Sequence, residues 1–311
     1  MGNDVRDKVV SEVSRFVVGR EKETEVLLMC LIARGHVLLE GPPGVSKTLL
    51  ANTFSKCLGL DFKRVQFTPD IIPLDIIGGY VFNLKEREFE FRKGPVFTNI
   101  LLADELNRAP PKVQSALLES MQERQVSVEG HTEKFPFPFM VIATQNPLEF
   151  AGVYPLPEGQ LDRFMVKLNF NYPTLAAETS ILERNLTDIE IGEVKTVLTR
   201  GQLEELVKQV SEVNVSPEIL AYVAKVAQAT RTVSGLALGA STRATVQLVH
   251  CSRAKALLEG RDYVTPDDIR SIAIDVLTHR LTVDRTSVMR GEPESPSSIL
   301  TSIFNKVAPP R

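Results

Sequence analysis

The sequence has few of the residues from which disulfide frameworks and zinc sites are built. Its three cysteines, Cys30, Cys57 and Cys251, lie far apart, and none belongs to a C-x-x-C pair. The four histidines are equally scattered. With so few cysteines, no C-x-x-C pair and scattered histidines, neither a disulfide framework nor a zinc site is predicted. We interpret the cysteines as small buried hydrophobic side chains.

Long apolar segments and an excess of positive charge are also missing. The longest apolar run, Val26 to Ile32, is far shorter than the roughly 20 residues that span a bilayer. The charged start, Met1 to Lys8, lacks the apolar core of a signal peptide. The net charge of -3 argues against a nucleic-acid protein, although local basic patches remain compatible with it. We expect a cytoplasmic protein.

The pattern of elements divides the chain into two domains and a tail. A length of 311 residues is more than one hydrophobic core usually holds. Short apolar strands alternate with helical patterns up to Phe170, and after Tyr172 and Pro173 the patterns are helical only. The sequence therefore predicts an α/β domain over residues 1–172, an all-α domain over 173–287, and a flexible linker with a short tail over 288–311.

Two hairpins are predicted inside the first domain, in addition to its strands and helices. One spans Tyr80 to Phe91, and the other pairs Gln125–Val128 with Glu133–Phe137 across Gly130. Strands are predicted over His36–Glu40, Val65–Phe67, Ile100–Ala103, Phe139–Thr144 and Met165–Phe170, of which Ile100–Ala103 is apolar throughout and so of the buried parallel type. Helices are predicted over Val5–Phe16, Glu21–Ala33, Leu49–Leu58 and Pro111–Glu123.

A phosphate-binding loop is predicted between the first strand and the helix that follows it. A triphosphate needs inward-pointing backbone N–H groups, a helix N-terminus, a lysine, and a hydroxyl for magnesium. Lys47 and Thr48 supply the last two, and Ser46 departs from the glycine that the strict motif expects. An ordinary strand-to-helix turn is the alternative. The loop consists of Gly41, Pro42, Pro43, Gly44, Val45, Ser46, Lys47 and Thr48.

Polar side chains end two further buried strands. Asp104 and Glu105 follow Ile100–Ala103, at the strand end where open parallel sheets bind ligands. Asp104 is placed to support the magnesium shell and Glu105 to orient or deprotonate the attacking water. The alternative is a solvated acidic turn. Asn146 follows Phe139–Thr144 and could hold the same water or the γ-phosphate, but Asn before Pro is also a common turn.

With these motifs in place, the chain resembles AAA+ ATPases, and within them the MoxR family of the helix-2-insert clade. The resemblance covers about residues 5 to 285. It implies a P-loop NTPase core, with a parallel sheet flanked by helices, followed by an all-α lid. The segments that carry it are residues 67–70, 94–97, 103–112, 143–147 and 156–164, which read FTPD, GPVF, ADELNRAPPK, ATQNP and LPEGQLDRF.

The resemblance also implies roles for individual residues. Lys47 and Thr48 would form Walker A, Asp104 and Glu105 Walker B, and Asn146 sensor 1. The nucleotide-binding set would extend to Leu49, with Val18 and Gly19 near the adenine. The hairpin around residues 85–87 would be the helix-2 insert, and the one around Gly130 the hairpin before sensor 1. Arg163 would be an arginine finger reaching a neighbouring subunit, and Arg243 would be sensor 2; for both, surface salt bridges are the alternative.

A ring-forming ATPase, expected to be a hexamer that uses ATP and Mg²⁺, is the function implied by the family. It would remodel or mature a client protein together with a partner that carries a von Willebrand factor A domain. Two alternatives stay open: a nucleic-acid motor, and a nucleotide-gated scaffold with little turnover.

The C-terminal tail has an amphipathic pattern. Ile299, Leu300, Ile303, Phe304 and Val307 fall on one helical face, beyond a linker predicted over Gly291–Ser298. Such a helix either covers the core of the lid or docks on a client or another subunit. The pattern alone does not decide between them.

Overall fold

The computed structural model describes residues 2–128, 130–147, 152–186, 193–284 and 295–310. Its helices are α1 (Gly2–Ser14), α2 (Glu21–Ile32), α3 (Lys47–Cys57), α4 (Pro73–Ile77), α5 (Pro111–Glu123), α6 (Glu158–Leu161), α7 (Leu175–Leu186), α8 (Arg200–Glu212), α9 (Pro217–Thr232), α10 (Thr242–Leu258), α11 (Pro266–Leu277) and α12 (Pro296–Lys306). Its strands are β1 (Val37–Glu40), β2 (Phe62–Gln66), β3 (Gly78–Asn83), β4 (Glu88–Lys93), β5 (Ile100–Asp104), β6 (Gln125–Val128), β7 (His131–Lys134), β8 (Met140–Gln145), β9 (Val166–Asn169), β10 (Leu236–Leu238) and β11 (Thr282–Val283).

A five-stranded sheet in the order β2-β5-β8-β1-β9 forms the centre of the core domain, and all its paired strands are parallel. β5 is buried along its whole length, as expected for a strand that is covered by helices on both faces. The parallel arrangement brings the ends of β1, β5 and β8 to one edge of the sheet. The predicted P-loop architecture with a helical lid is confirmed.

The lid shares a hydrophobic core with the N-terminal helices. Buried side chains of α1, α2, α8, α10 and α11 belong to one apolar cluster that also covers one face of the sheet. A second cluster fills the other face, beneath α5. The lid is therefore packed on its own core domain by apolar contacts, rather than connected to it by a linker alone.

The tail forms a helix that packs on the lid. In α12, Ile299, Leu300, Ile303 and Phe304 are buried, and the helix contacts α9 and α11. Arg270 donates a hydrogen bond of 2.9 Å to the carbonyl of Phe304. Of the two alternatives for the tail, the structure shows the helix covering the core of the lid. The predicted linker lies partly outside the described residues, which resume at 295.

Several boundaries differ from those predicted. β7 ends at Lys134 instead of Phe137, because residues 135–139 leave the hairpin and pack as an aromatic cluster. The patterns after residue 173 were predicted to be helical only, and this was wrong: β10 and β11 form a short antiparallel pair there. α3 begins at Lys47 instead of Leu49. In the described ranges, no helix is long and apolar enough to cross a membrane.

Candidate active site

A cleft of about 420 Å³ opens at the carboxyl ends of β5 and β8, beside the loop that follows β1. Parallel strands place the side chains that follow them at one edge, so residues distant in sequence meet there. Twelve residues line it: Pro43, Gly44, Ser46, Lys47, Thr48, Leu49, Arg64, Gln66, Asp104, Glu105, Thr144 and Asn146.

The loop after β1 has a backbone that only certain residues tolerate. Gly44 and Ser46 adopt positive φ angles of 79° and 66°. The value at Ser46 explains why a glycine is expected there, since a side chain in this region costs about 1–2 kcal/mol. At Gly41 a Cβ would lie 2.2 Å from the carbonyl oxygen of Phe170, so β9 approaches the loop too closely for any side chain.

Lys47 and Thr48 stand at the first turn of α3, where the helix dipole and backbone N–H groups that point along the helix axis favour an anion. The Lys47 Nζ donates a hydrogen bond of 2.6 Å to the carbonyl of Gly41. The lysine side chain therefore crosses the mouth of the loop, and its charge lies over the loop's N–H groups. Val45, in contrast, is buried beneath the loop and does not line the cleft.

Asp104 is held on both carboxylate oxygens. Its Oδ1 accepts a hydrogen bond of 2.6 Å from the Thr144 hydroxyl, and its Oδ2 accepts two from Arg64, at 3.0 Å from Nε and 2.7 Å from Nη2. Thr144 also accepts a 2.8 Å bond from the backbone N–H of Glu105. One hydroxyl on β8 thus joins the two acidic residues that follow β5.

Glu105 is oriented by two further donors. Its Oε2 accepts hydrogen bonds from Gln66 Nε2 at 2.6 Å and from Arg108 Nη1 at 2.9 Å. Its backbone is in the left-handed region, with φ of 58°. Strained backbone of this kind is typical of functional sites, where the surrounding contacts enforce it. Gln66 also accepts a 2.7 Å bond from Arg64, so one chain of hydrogen bonds links both carboxylates to β2.

Asn146 lies at the end of β8 and is only 8% exposed, facing the same cleft. Val18 and Gly19 lie outside the cleft lining, in the connection between α1 and α2. The following residue, Arg20, stacks over the Phe170 ring at 4.6 Å and donates to the carbonyl of Asn171. This connection therefore lies against the residues that directly follow β9, and Phe170 among them also contacts the loop after β1 at Gly41.

The two predicted arginines lie at the junction between core and lid, and neither lines the cleft. Arg243 is 3.7 Å from Asp162, which also accepts a hydrogen bond from the Ser241 hydroxyl and pairs with buried Arg280. Arg163 directly follows Asp162 in the chain, and its side chain is partly exposed. Burial lowers the pKa of Arg280 to about 10.

Arg64, Gln66 and Thr144 belong to the cleft but were not predicted to do so. Arg64 and Gln66 are two apart on β2 and so point to the same side. The sequence prediction began this strand at Val65 and therefore missed the alternation. The signal in the sequence was that two polar residues, Arg64 and Gln66, flank Val65 of the predicted strand. Thr144 was assigned to a buried strand, and nothing in the sequence indicated that its hydroxyl faces Asp104.

The oxygen ligands of the cleft suit magnesium. In the part of the chain that the structure describes, no group of three or more His, Cys, Asp or Glu residues could hold a metal. Mg²⁺ is usually bound through one or two carboxylates together with substrate phosphates and water, rather than in an all-protein cage. Thr48 and Asp104, both lining the cleft, fit such an ion.

Comparisons with known proteins show which family and fold the chain is similar to. The model of the ATPase family associated with various cellular activities (AAA) matches residues 36–166, and an AAA lid domain model matches residues 228–303. The chain is 43% identical to Chaperone MoxR1 of Mycobacterium tuberculosis, over 98% of this chain and 82% of that protein. It is 44% identical to YeaC of Bacillus subtilis, over 88% and 86%. A crystal structure of a protein from Cytophaga hutchinsonii superposes with a TM-score of 0.91 at 39% identity, covering 100% of this chain and 97% of that one.

Proposed function

Because the chain belongs to the MoxR family of AAA+ ATPases, we propose that it binds ATP with Mg²⁺ in this cleft and hydrolyses it. The observation that carries the proposal is the convergence of Lys47, Thr48, Asp104 and Glu105 on one cavity. These groups come from two separate strand ends, and each has the chemistry that phosphoryl transfer to water requires.

In this mechanism the residues of the cleft position the phosphates of ATP and the attacking water, and polarise them. Lys47 and the N-terminus of α3 bind the β- and γ-phosphates, while Thr48 and Asp104 would hold a magnesium ion, which would supply charge neutralisation at the phosphates. Glu105 orients the attacking water, and Gln66 and Arg108 fix the angle at which its carboxylate is presented. Asn146 supports the water or the γ-phosphate from β8. Val18 and Gly19 are assigned to the adenine side of the site.

Two variants separate binding from turnover. Lys47→Ala should abolish ATP binding, since the loop loses its fixed positive charge. Glu105→Gln should retain binding and lose hydrolysis, because it changes the group on the water and leaves the phosphate site intact. Calorimetric titration with a slowly hydrolysed ATP analogue and phosphate release measure the two properties. Equal loss of affinity in both variants would contradict these roles.

Hydrolysis is proposed to require a ring, expected to be a hexamer, in which Arg163 acts on a neighbour's nucleotide. Arg163 does not line the cleft of its own chain. Arg243, held near Asp162, is proposed as the residue through which the lid senses nucleotide. Mixing Arg163→Ala with Lys47→Ala should restore activity, since intact fingers then face intact cleft sites. A mixture that stays inactive while both variants assemble would refute action between subunits.

The work of the ring is proposed to be remodelling or maturation of a client, with a partner that carries a von Willebrand factor A domain. The β3–β4 hairpin supports this, because it presents Leu84 at 82% exposure and Phe89 at 67%. Leu84→Ser with Phe89→Ser should weaken partner binding and leave basal ATPase activity unchanged. The Glu105→Gln protein loaded with ATP should bind the partner more tightly than the nucleotide-free protein. Stimulation of turnover by nucleic acid alone would favour a motor instead.

A further inference from the structure

A second cavity, of about 190 Å³, lies at the opposite end of β8 from the cleft. β8 begins at Met140, directly after this cavity, and ends at Gln145 beside the cleft, so about 20 Å separates the two. The cavity is formed where the end of α2, the end of α5 and the segment after β7 meet. Its lining includes the cations Arg34, Arg124 and Lys134 and the aromatic residues Phe135, Phe137 and Phe139.

Three cations line this cavity, and no carboxylate of the described residues lies within salt-bridge distance of them. Arg34, Arg124 and Lys134 form no salt bridge with any residue that the structure describes, whereas the buried or half-buried Arg20, Arg261 and Arg280 each pair with a carboxylate. Arg124 is half-buried, and burial together with the charge of Arg34 lowers its pKa to about 10. A half-buried guanidinium beside a second positive charge, that of the exposed Arg34, is unfavourable unless an anion joins them.

The backbone and one hydrogen bond fix the arginines in place. Arg34 and Arg124 both adopt left-handed conformations, with φ of 60° and 53°. Arg124 Nη2 donates a 2.7 Å bond to the carbonyl of Arg34, and the Arg124 carbonyl accepts a 3.1 Å bond from the N–H of Phe135. The other N–H donors of Arg124 form no side-chain hydrogen bond within the described ranges. They therefore remain available to a ligand.

Aromatic rings form the walls. The guanidinium of Arg34 lies over the Phe137 ring at 5.6 Å, and the rings of Phe135 and Phe139 are 4.5 Å apart. His36 packs edge-on against Phe139 and is buried, with its ring nitrogens bonded to the carbonyl of Met121 and the N–H of Val141. The wall is thus a packed part of the core and does not need a ligand to form.

We propose that this cavity, defined by Arg34, Arg124, Lys134 and Phe137, binds a carboxylate that is attached to an apolar group, as presented by an acidic peptide segment of a partner protein. The cations pair with the carboxylate, and the phenyl and proline walls contact the apolar group. At about 190 Å³ the cavity is smaller than sites for drug-sized ligands, which are about 300–1,000 Å³. A single side chain fits it and a nucleotide does not.

The probe for the first test is 3-phenylpropionate, with 3-phenylpropionamide as its uncharged analogue, titrated against the full chain and followed by ligand-observed NMR. The carboxylate should bind about 10-fold more tightly than the amide, as expected when a charged hydrogen-bonding partner is lost. Arg124→Gln should remove this preference. Lys208→Gln, which removes an exposed charge on α8, should preserve it. The titrations contain no nucleotide, so their outcome does not depend on the proposed ATPase activity.

Two other variants test the proposed carboxylate site if Arg124→Gln fails to fold. Arg34→Gln and Lys134→Gln change exposed side chains, and each should weaken binding of the carboxylate about 3-fold or more. A capped Glu-Phe-Glu-Phe peptide should displace the probe, and its Gln-Phe-Gln-Phe counterpart should not. Equal affinity for acid and amide, or binding unaffected by all three variants, would overturn the proposal. Displacement by oligothymidylate but not by the acidic peptide would also overturn it, in favour of a phosphate-binding surface.

Discussion

Removal of the Arg64 charge should strengthen magnesium binding at the proposed ATP site. Arg64 donates two hydrogen bonds to Asp104 Oδ2, the carboxylate that is proposed to support the metal. The arginine therefore competes for that carboxylate and also repels a dication placed beside it. Arg64→Gln removes both effects and keeps a side chain that can donate a hydrogen bond.

The magnitude follows from the burial of the two partners. Unit charges about 4 Å apart interact by about 4 kcal/mol at an effective dielectric constant of about 20. The Arg64 side chain is 48% exposed, however, and that of Asp104 is 12% exposed, so solvent screens much of this energy. About 1–2 kcal/mol remains. Magnesium affinity in the complex with a slowly hydrolysed ATP analogue should therefore rise about 5- to 30-fold.

The assay is calorimetric titration of Mg²⁺ into the protein saturated with that analogue. Lys63→Gln is the matched control, because Lys63 is exposed on the same strand and does not line the cleft. It should leave the magnesium affinity unchanged. Free energies of unfolding provide a second readout: Arg64→Gln should lose about 1 kcal/mol, since Asp104 is left with one donor fewer. Magnesium binding that is unchanged or weaker in Arg64→Gln would refute the reasoning.

Three further predictions concern stability. Ser46→Gly should raise the free energy of unfolding by about 0.5–1 kcal/mol in urea titration, because the relief of a left-handed side chain exceeds the added entropy of the unfolded chain; a decrease would show that the Ser46 side chain is stabilising. Burial lowers the pKa of His36 to about 4, below its ordinary 6.5, so the unfolded chain takes up a proton first as the pH falls, and stability present above pH 6.5 is lost towards pH 4. His36 should therefore make the free energy of unfolding about 2 kcal/mol lower at pH 5 than at pH 7. The variant His36→Gln should reduce this difference between the two pH values, and the control His131→Gln, at an exposed position, should not. The buried His279, whose pKa is also lowered, should account for part of the difference that remains. Phe304→Ala should cost about 3 kcal/mol, because α12 covers the core of the lid; a loss below about 0.5 kcal/mol would show that the helix is detached.

Local patterns predicted much of the architecture. The helix over Pro111–Glu123 was predicted with the same bounds, and Ser216-Pro217 and Thr265-Pro266, each an N-cap residue followed by proline, stand at the starts of α9 and α11. The structure shows both serine and threonine hydroxyls accepting the expected N-cap bonds. These signals are local, because the hydrogen bonds of a helix and its cap join residues only three or four apart.

Other features depended on contacts between distant segments. The pairing of Arg64 with Asp104 and the bridge from Thr144 to both acidic residues join neighbouring strands of a parallel sheet, and no spacing in the sequence indicates them. The end of β7 at Lys134 was likewise decided by packing of the aromatic rings that follow it.

The sequence by itself determined the fold class and which polar residues follow each buried strand. Both can be predicted because strand periodicity, glycine positions and helix caps are properties of short segments. Only the tertiary structure decided which polar groups hold Asp104 and Glu105, where Arg163 and Arg243 lie, and where the tail helix packs. The amphipathic pattern of that helix required burial of one face but did not specify the partner. Burial is satisfied by any apolar surface of sufficient size, so the partner is fixed only when the whole chain is packed.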